Sequence, residues 1–147
     1  MLEYVLAAGI FSQDVVTKQI VREKIKEREE RPFLKGKVVL TKVFNDGAML
    51  GLLRKHPDLL KSMTLLALGV LIGALAGEKP KECKSLRRIG LALMLGGAAS
   101  NAYERLLYGK VTDYIRFDAG PEKFRKLVFN TGDFAVFIGS MLTASAR

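Results

Sequence analysis

The sequence predicts an all-α membrane protein, with four transmembrane helices and a small extracytoplasmic β-element between helices 1 and 2. Hydrophobic residues make up 49% of the 147 residues, and they are concentrated in blocks. Most of the 24 lysines and arginines lie in the gaps between these blocks. A run rich in β-branched residues at 37–44 favours a strand. Because a chain of this length has room for one core, residues 1–147 are expected to form a single integral-membrane domain.

The net charge of +9 is compatible with nucleic acid, anionic lipid or an acidic partner. The basic residues are spread over every loop without a stacking aromatic platform, which favours membrane lipids and argues against nucleic acid. Cys83 is the only cysteine and His56 the only histidine. The sequence therefore gives no support for an internal disulfide, a cysteine-based metal site or a histidine-based triad, and we expect no metal and no cofactor.

The first apolar block, residues 2–21, predicts a helix of about the length that spans a bilayer. It begins MLEY, without the basic region of a cleavable signal peptide, so we expect the helix to be retained. Asp14 and Lys18 lie four positions apart, in the favourable order for a helical ion pair, and at that depth should face other helices. A structural pairing and a direct role in a site both stay open. Residues 22–36 are expected to be a solvated helix end and linker.

The strand at 37–44 is followed by a turn sequence, Asn45-Asp46-Gly47. The apolar residues at 48–53 then predict a returning strand or a loop that dips into the membrane. Pro57 marks the start of the next helix, since proline suits the first helical turn.

Three further apolar blocks predict the remaining spans, at 62–77, 89–103 and 134–146. The gap at 78–88 carries five basic residues in eleven positions, and the positive-inside rule assigns it to the cytoplasm. Both chain termini are then cytoplasmic, and both long connections lie outside.

In this topology, Asp113 follows the outer end of the third span and Asp133 stands at the outer start of the fourth. A hairpin between these spans brings the two carboxylates close. Two facing carboxylates repel each other when both are ionised, so they share one proton and titrate as a unit. Such a pair can activate a water with one carboxylate and protonate a carbonyl or leaving amine with the other. The alternative is that Asp133 only caps its helix and Asp113 is a loop carboxylate.

Five short motifs occur along the chain in a defined order. They are Asp14-Val15-Val16-Thr17-Lys18, Asn45-Asp46-Gly47-Ala48, Gly96-Gly97-Ala98-Ala99-Ser100-Asn101 leading to Arg105, Val111-Thr112-Asp113-Tyr114, and Phe129-Asn130-Thr131-Gly132-Asp133. Together they resemble the lipoprotein signal peptidases (signal peptidase II), a family of four-span membrane aspartic peptidases.

The resemblance implies a site and a substrate. The family cleaves prolipoproteins just before a cysteine that carries diacylglycerol, at the outer leaflet and without a metal. The resemblance implies a multi-pass protein of the cell membrane with an extracytoplasmic active site. Its partners are then prolipoproteins and membrane lipids, and we expect it to be a monomer. By resemblance Asp113 and Asp133 are the catalytic pair, and the supporting residues are Asn101, Arg105, Asn130, Asn45, Gly47, Asp14, Lys18 and Glu104.

Three residues depart from the family's pattern and indicate a divergent member. Ser100 stands where the family usually has glycine, Glu104 where it has aspartate, and Gly132 where it has alanine. We expect these changes to affect substrate preference more than reaction type, because both proposed catalytic carboxylates remain.

Two other functions stay open at this point. One is a metal-dependent membrane enzyme in which Asp113, Asp133 and Glu104 are oxygen ligands for magnesium. The other is a non-catalytic membrane protein that binds lipid or lipoprotein without cutting it.

Overall fold

The computed structural model describes residues 1–47, 53–78 and 86–146. The helices are α1 (Leu2–Lys24), α2 (Pro57–Gly77), α3 (Leu86–Tyr108), the short α4 (Glu122–Arg125) and α5 (Thr131–Ser145). The strands are β1 (Arg31–Phe33), β2 (Val38–Asn45), β3 (Val111–Phe117) and β4 (Val128–Phe129). The protein is thus rich in helix with a small antiparallel sheet.

Each of the four predicted apolar blocks forms a helix. Helix α3 extends beyond its predicted block at both ends, and the other three helices extend beyond theirs at one end. Helix α2 begins at Pro57, as predicted, because proline has no backbone N–H to lose in a first turn. The predicted returning strand or dipping loop at 48–53 falls almost entirely outside the described residues.

Helix α3 is the central helix, since α1, α2 and α5 all pack against it. Glycines allow the closest of these contacts. A Cβ placed on Gly96 would lie 2.6 Å from the carbonyl oxygen of Ala7 in α1, and one on Gly97 would overlap the backbone of Gly132 in α5. The backbones of α1 and α5 therefore approach α3 directly, which brings the polar residues near the ends of these helices together.

Among the described helices, α2 is the one whose length and composition alone would suffice to cross a membrane. Helices α1 and α3 carry charged residues that lower their apolar character, but several of these charges, such as Lys18 and Glu104, are buried within the protein. Leu60 and Leu75 of α2 are buried, whereas many of its other apolar side chains face outward, and Leu66 is 69% exposed.

The sheet has the strand order β1-β2-β3-β4, and every pairing is antiparallel. The prediction of a β-element between the first two long helices was incomplete, because β3 and β4 come from the connection between α3 and α5. The prediction of a plain linker at 22–36 was wrong for β1. That strand is only three residues long, is fully exposed and contains Pro32, so it has the composition of an edge strand without an alternating pattern.

Candidate active site

Asp113 lies in β3 opposite Val43 of β2 and is only 5% exposed. Its Oδ1 accepts a hydrogen bond from Asn130 Nδ2 at 2.7 Å, and its Oδ2 accepts one from Asn45 Nδ2 at 3.0 Å. The carboxylate is therefore held by two amides that come from different connections. The alternative of a loop carboxylate was wrong, since Asp113 is a buried strand residue.

Asp133 is the third residue of α5 and forms a capping box with Asn130. The Asp133 backbone N–H donates to Asn130 Oδ1 at 2.9 Å, and the Asn130 backbone N–H donates to Asp133 Oδ2 at 3.0 Å. Asp133 thus does cap its helix, as the alternative expected. Its other oxygen, Oδ1, also accepts a hydrogen bond from Asn101 Nδ2 of α3 at 2.9 Å.

Asn130 joins the two aspartates, because its side-chain NH₂ group donates to the Asp113 carboxylate and its backbone N–H donates to the Asp133 carboxylate. Burial, and next the neighbouring charge of Asp133, raise the pKa of Asp113 to about 7 against the opposing effect of the hydrogen bonds from Asn130 and Asn45. Asp113 therefore holds a proton up to near-neutral pH. This geometry can provide one protonated and one ionised carboxyl at the same place.

Asp14 and Lys18 form a buried ion pair behind the carboxylates, with 2.7 Å between Lys18 Nζ and Asp14 Oδ2. Lys18 also donates to Asn101 Oδ1 at 2.6 Å and to Ser100 Oγ at 3.1 Å. Asn101 in turn donates to Asp133. The pairing within α1 is therefore present, and it is connected to the site through Asn101.

Asp14 also ties three other elements together. Its Oδ1 accepts hydrogen bonds from Thr131 Oγ1 at 2.5 Å and from the Tyr114 hydroxyl at 3.3 Å, and its Oδ2 accepts one from Ser100 Oγ at 2.6 Å. Neither Tyr114 nor Thr131 was predicted from the sequence as a site residue. Their positions within two quoted motifs, next to Asp113 and Asn130, were the available indication.

Glu104 binds the residue that precedes Asp113. Its Oε2 accepts from the Thr112 backbone N–H at 2.7 Å, and its Oε1 accepts from Thr112 Oγ1 at 2.8 Å and from Arg22 Nη1 at 3.0 Å. Glu104 thereby fixes β3 against α3. Within residues 1–47, 53–78 and 86–146, no cluster of three or more His, Cys, Asp or Glu side chains is arranged to hold a metal ion.

Arg105 connects α3 to the predicted turn, which is present. Its Nη2 donates to the Gly47 carbonyl at 3.0 Å, and the Gly47 backbone N–H donates to Asn45 Oδ1 at 3.1 Å. The turn in this way orients the same Asn45 side chain that binds Asp113. The structure joins all ten predicted site residues in one network: Asp14, Lys18, Asn45, Gly47, Asn101, Glu104, Arg105, Asp113, Asn130 and Asp133.

Two solved structures share this fold. Both are described as a bacterial membrane enzyme, determined by the in meso method at 2.3 Å and 1.9 Å resolution. Their TM-scores are 0.85 and 0.84, at 23% identity, and the matches cover 96% and 97% of this chain and 84% and 90% of those chains. This chain therefore has the same fold as these two structures.

Residues 6–146 match the family described as signal peptidase (SPase) II. A lipoprotein signal peptidase of Pelotomaculum thermopropionicum is 33% identical, over 99% of this chain and 91% of the relative. Another, of Clostridium acetobutylicum, is 33% identical over 95% of this chain and 88% of the relative. The chain belongs to the signal peptidase II family, a family of membrane proteases, and the resemblance drawn from the motifs is confirmed.

The first prediction concerns Ser100 and Gly132, which crowd the same oxygen. A Cβ on Gly132 would lie 2.8 Å from Asp14 Oδ2, the atom that accepts the Ser100 hydroxyl. We expect Gly132→Ala to lower the free energy of unfolding by about 1–3 kcal/mol, because the added methyl displaces Asp14. Adding Ser100→Gly should relieve the crowding, so the double variant should be more stable than additivity predicts by at least about 0.5 kcal/mol.

Denaturant unfolding of the four proteins of this double-mutant cycle measures the coupling. Gly9→Ala is the matched control, since nothing lies within 4 Å of a Cβ at that helical position. Additive effects, or a Gly132→Ala variant as stable as the control, would contradict the interpretation.

The second prediction concerns the length of Glu104. The shorter side chain of Glu104→Asp cannot reach Thr112 and Arg22 together, so we expect a loss of about 1–3 kcal/mol in the free energy of unfolding. Glu122→Asp makes the same change in an exposed pair with Lys126 and should stay within about 0.5 kcal/mol of the parent. Equal stability of the two variants would show that the three hydrogen bonds do not need the longer side chain.

Proposed function

We propose that this protein is a membrane aspartic endopeptidase that removes signal peptides from diacylglyceryl-modified prolipoproteins and cleaves before the lipidated cysteine. The observation that carries the proposal is the pair of carboxylates joined through Asn130, with Asp113 buried and Asp133 half-buried. Membership of the signal peptidase II family supports the reaction class. Relatives named lipoprotein signal peptidase support the substrate class.

The two carboxylates divide the chemistry. Asp113, with a pKa of about 7, holds the shared proton and donates it to the scissile carbonyl oxygen. Asp133 is ionised and takes a proton from the attacking water, and the proton moves on to the leaving amine as the peptide bond breaks. Asn101 and Asn130 hold Asp133 in place, while Asn45 orients Asp113.

The supporting residues act through these contacts. Lys18, paired with Asp14, orients Asn101. Glu104 holds β3 through Thr112. Arg105 fixes the turn at Gly47, and its buried Nε has no hydrogen-bond partner among the described residues.

The membrane topology forms part of the proposal. Helices α1, α2, α3 and α5 are the four spans of a multi-pass protein, and residues 1–147 form one peptidase domain that acts as a monomer. The sheet, the end of α3 and the start of α5 lie together at the extracytoplasmic face. Exposed apolar side chains support a lipid environment for the helices, among them Leu66 and Val70 of α2 and Phe137 of α5.

The third prediction tests the carboxylates directly. We expect Asp113→Asn and Asp133→Asn each to reduce cleavage of a synthetic diacylglyceryl-cysteine precursor peptide by at least about 100-fold, because each removes a proton-transfer group. Cleavage is followed by mass spectrometry with the purified protein. Asp118→Asn, at a half-exposed position, is the matched control and should keep full activity.

Unfolding curves of the two variants establish that they are folded. Parental activity in either variant would sink the proposal. Activity that survives a chelator separates the aspartic mechanism from the magnesium enzyme, and product formation separates it from a lipoprotein-binding protein. Loss of activity on chelation would favour the alternative of a magnesium-dependent enzyme.

The fourth prediction follows from the raised pKa of Asp113. Cleavage should decline as the pH rises through about 7, because Asp113 then loses the proton that it donates. The free energy of unfolding should also fall as the pH rises toward about 7. Below the ordinary pKa of 3.8 Asp113 is protonated in both the folded and unfolded states, whereas between 3.8 and about 7 only the unfolded state releases the proton.

The parent should therefore lose stability relative to Asp113→Asn as the pH rises from about 4 to 7. Thermal unfolding of both proteins across that range measures the difference. Parallel stability curves for the two proteins would show that Asp113 is not the group with the raised pKa.

A further inference from the structure

The turn between β1 and β2, residues 33–37, carries exposed apolar side chains at the end of the sheet remote from Asp113. Phe33 is 57% exposed and Leu34 is 61% exposed. Leu34, Lys35 and Gly36 have φ values of 48°, 57° and 83°. A left-handed backbone is unfavourable for leucine and lysine. The chain therefore adopts a strained turn that presents apolar residues outward, and we call residues 33–37 the sheet tip.

The short helix α4 lies beside the sheet tip. Val38 pairs with Phe117, and the Asp118 backbone N–H donates to the Lys37 carbonyl at 3.0 Å. The ring of Phe117 stacks on that of Phe124 in α4, with 5.9 Å between centroids. Phe124 is itself 41% exposed. A second exposed apolar side chain thus lies at the same end of the sheet.

Aromatic contacts connect this end of the sheet to α5. Phe117 contacts Phe129 at 6.2 Å and Phe134 at 6.0 Å between ring centroids. Phe134 lies in the first turn of α5, where that helix is proposed to enter the bilayer. The apolar surface of α5 therefore continues through the aromatic rings toward α4 and the sheet tip.

The charges around this surface are basic. The nearby acids already have basic partners: Asp118 with Arg125, Glu122 with Lys126, Glu29 with Arg31, and Glu30 with Arg116. Lys35, Lys37 and Lys123 are exposed and form no ion pair with any residue that the structure describes. An apolar centre surrounded by lysines is the composition of a surface that binds the interface of an anionic bilayer.

We propose that the sheet tip and α4 dock on anionic lipid headgroups. Phe33, Leu34 and Phe124 enter the boundary between headgroups and acyl chains, and the three unpaired lysines contact lipid phosphates. The proposal requires that the protein lies in a membrane, but it is independent of the peptidase chemistry. Docking would hold the sheet in a fixed orientation on the membrane, and Asp113 is a residue of that sheet.

The chain contains no tryptophan, so Leu34→Trp creates a single fluorescent probe at the sheet tip. The full chain is placed in nanodiscs of phosphatidylcholine alone, or of phosphatidylcholine and phosphatidylglycerol in equal parts, with brominated acyl chains as the quencher. We expect quenching to be at least about twofold stronger in the anionic bilayer. Added salt should reduce the difference, because it screens the lysines.

Two further proteins make the test specific. Lys35→Gln and Lys37→Gln together, in the Leu34→Trp background, should lower the quenching in the anionic bilayer to that in the neutral one. Glu27→Trp is the control, because Glu27 is exposed but lies away from the sheet tip. The backbone N–H of its neighbour Arg28 donates to the Lys42 carbonyl, in the half of β2 that is remote from the sheet tip. The quenching of Glu27→Trp should be weak and independent of the lipid. Weak quenching of Leu34→Trp in both bilayers, or quenching that does not depend on lipid charge, would overturn the proposal.

Discussion

The Asn130 side chain makes the contact on which the site depends. Two carboxylates near one another repel, and burial makes the repulsion stronger. Asn130 offsets it with two donors, since its side-chain NH₂ group donates to Asp113 and its backbone N–H donates to the Asp133 carboxylate. The side chain is fully buried, so water does not compete for these bonds. Asparagine suits the position because an aspartate would add a third negative charge, and a hydrophobic residue would leave Asp113 Oδ1 without its donor.

The polar layer behind the carboxylates requires close helix packing. An unpaired Lys18 or Asp14 at such depth would be strongly destabilising, and each is instead surrounded by partners from other elements. Those partners come within reach because Gly96 and Gly97 let α1 and α5 approach α3. Glycine packing and charge burial are therefore linked in this fold. The helices are held together by hydrogen bonds as well as by apolar contact, which suits a lipid environment that supplies no hydrophobic force between helices.

Local features of the chain could be predicted from the sequence, whereas contacts between distant segments could not. The apolar blocks, the turn at Asn45 and the helix start at Pro57 depend on neighbouring residues. Strands β1 and β4 have three and two residues, too few to show a pattern, and they exist because longer strands lie beside them. The crowding of Asp14 by Ser100 and Gly132 depends on how three helices meet. Spacing alone left open whether Asp133 caps a helix or belongs to a pair, and in the structure it caps α5 and is linked to Asp113 through Asn130.

The capping box at the start of α5 couples the folding of the first turn of this helix to the assembly of the site. Asp133 is held through its own backbone N–H and through the backbone N–H of Asn130. Fraying of this first turn would release Asp133 and, in the same event, remove the Asn130 amide from Asp113. Local melting of a single helical turn, far smaller than global unfolding, would therefore be enough to disassemble both halves of the pair, and the lifetime of that turn sets an upper limit on the lifetime of the assembled site.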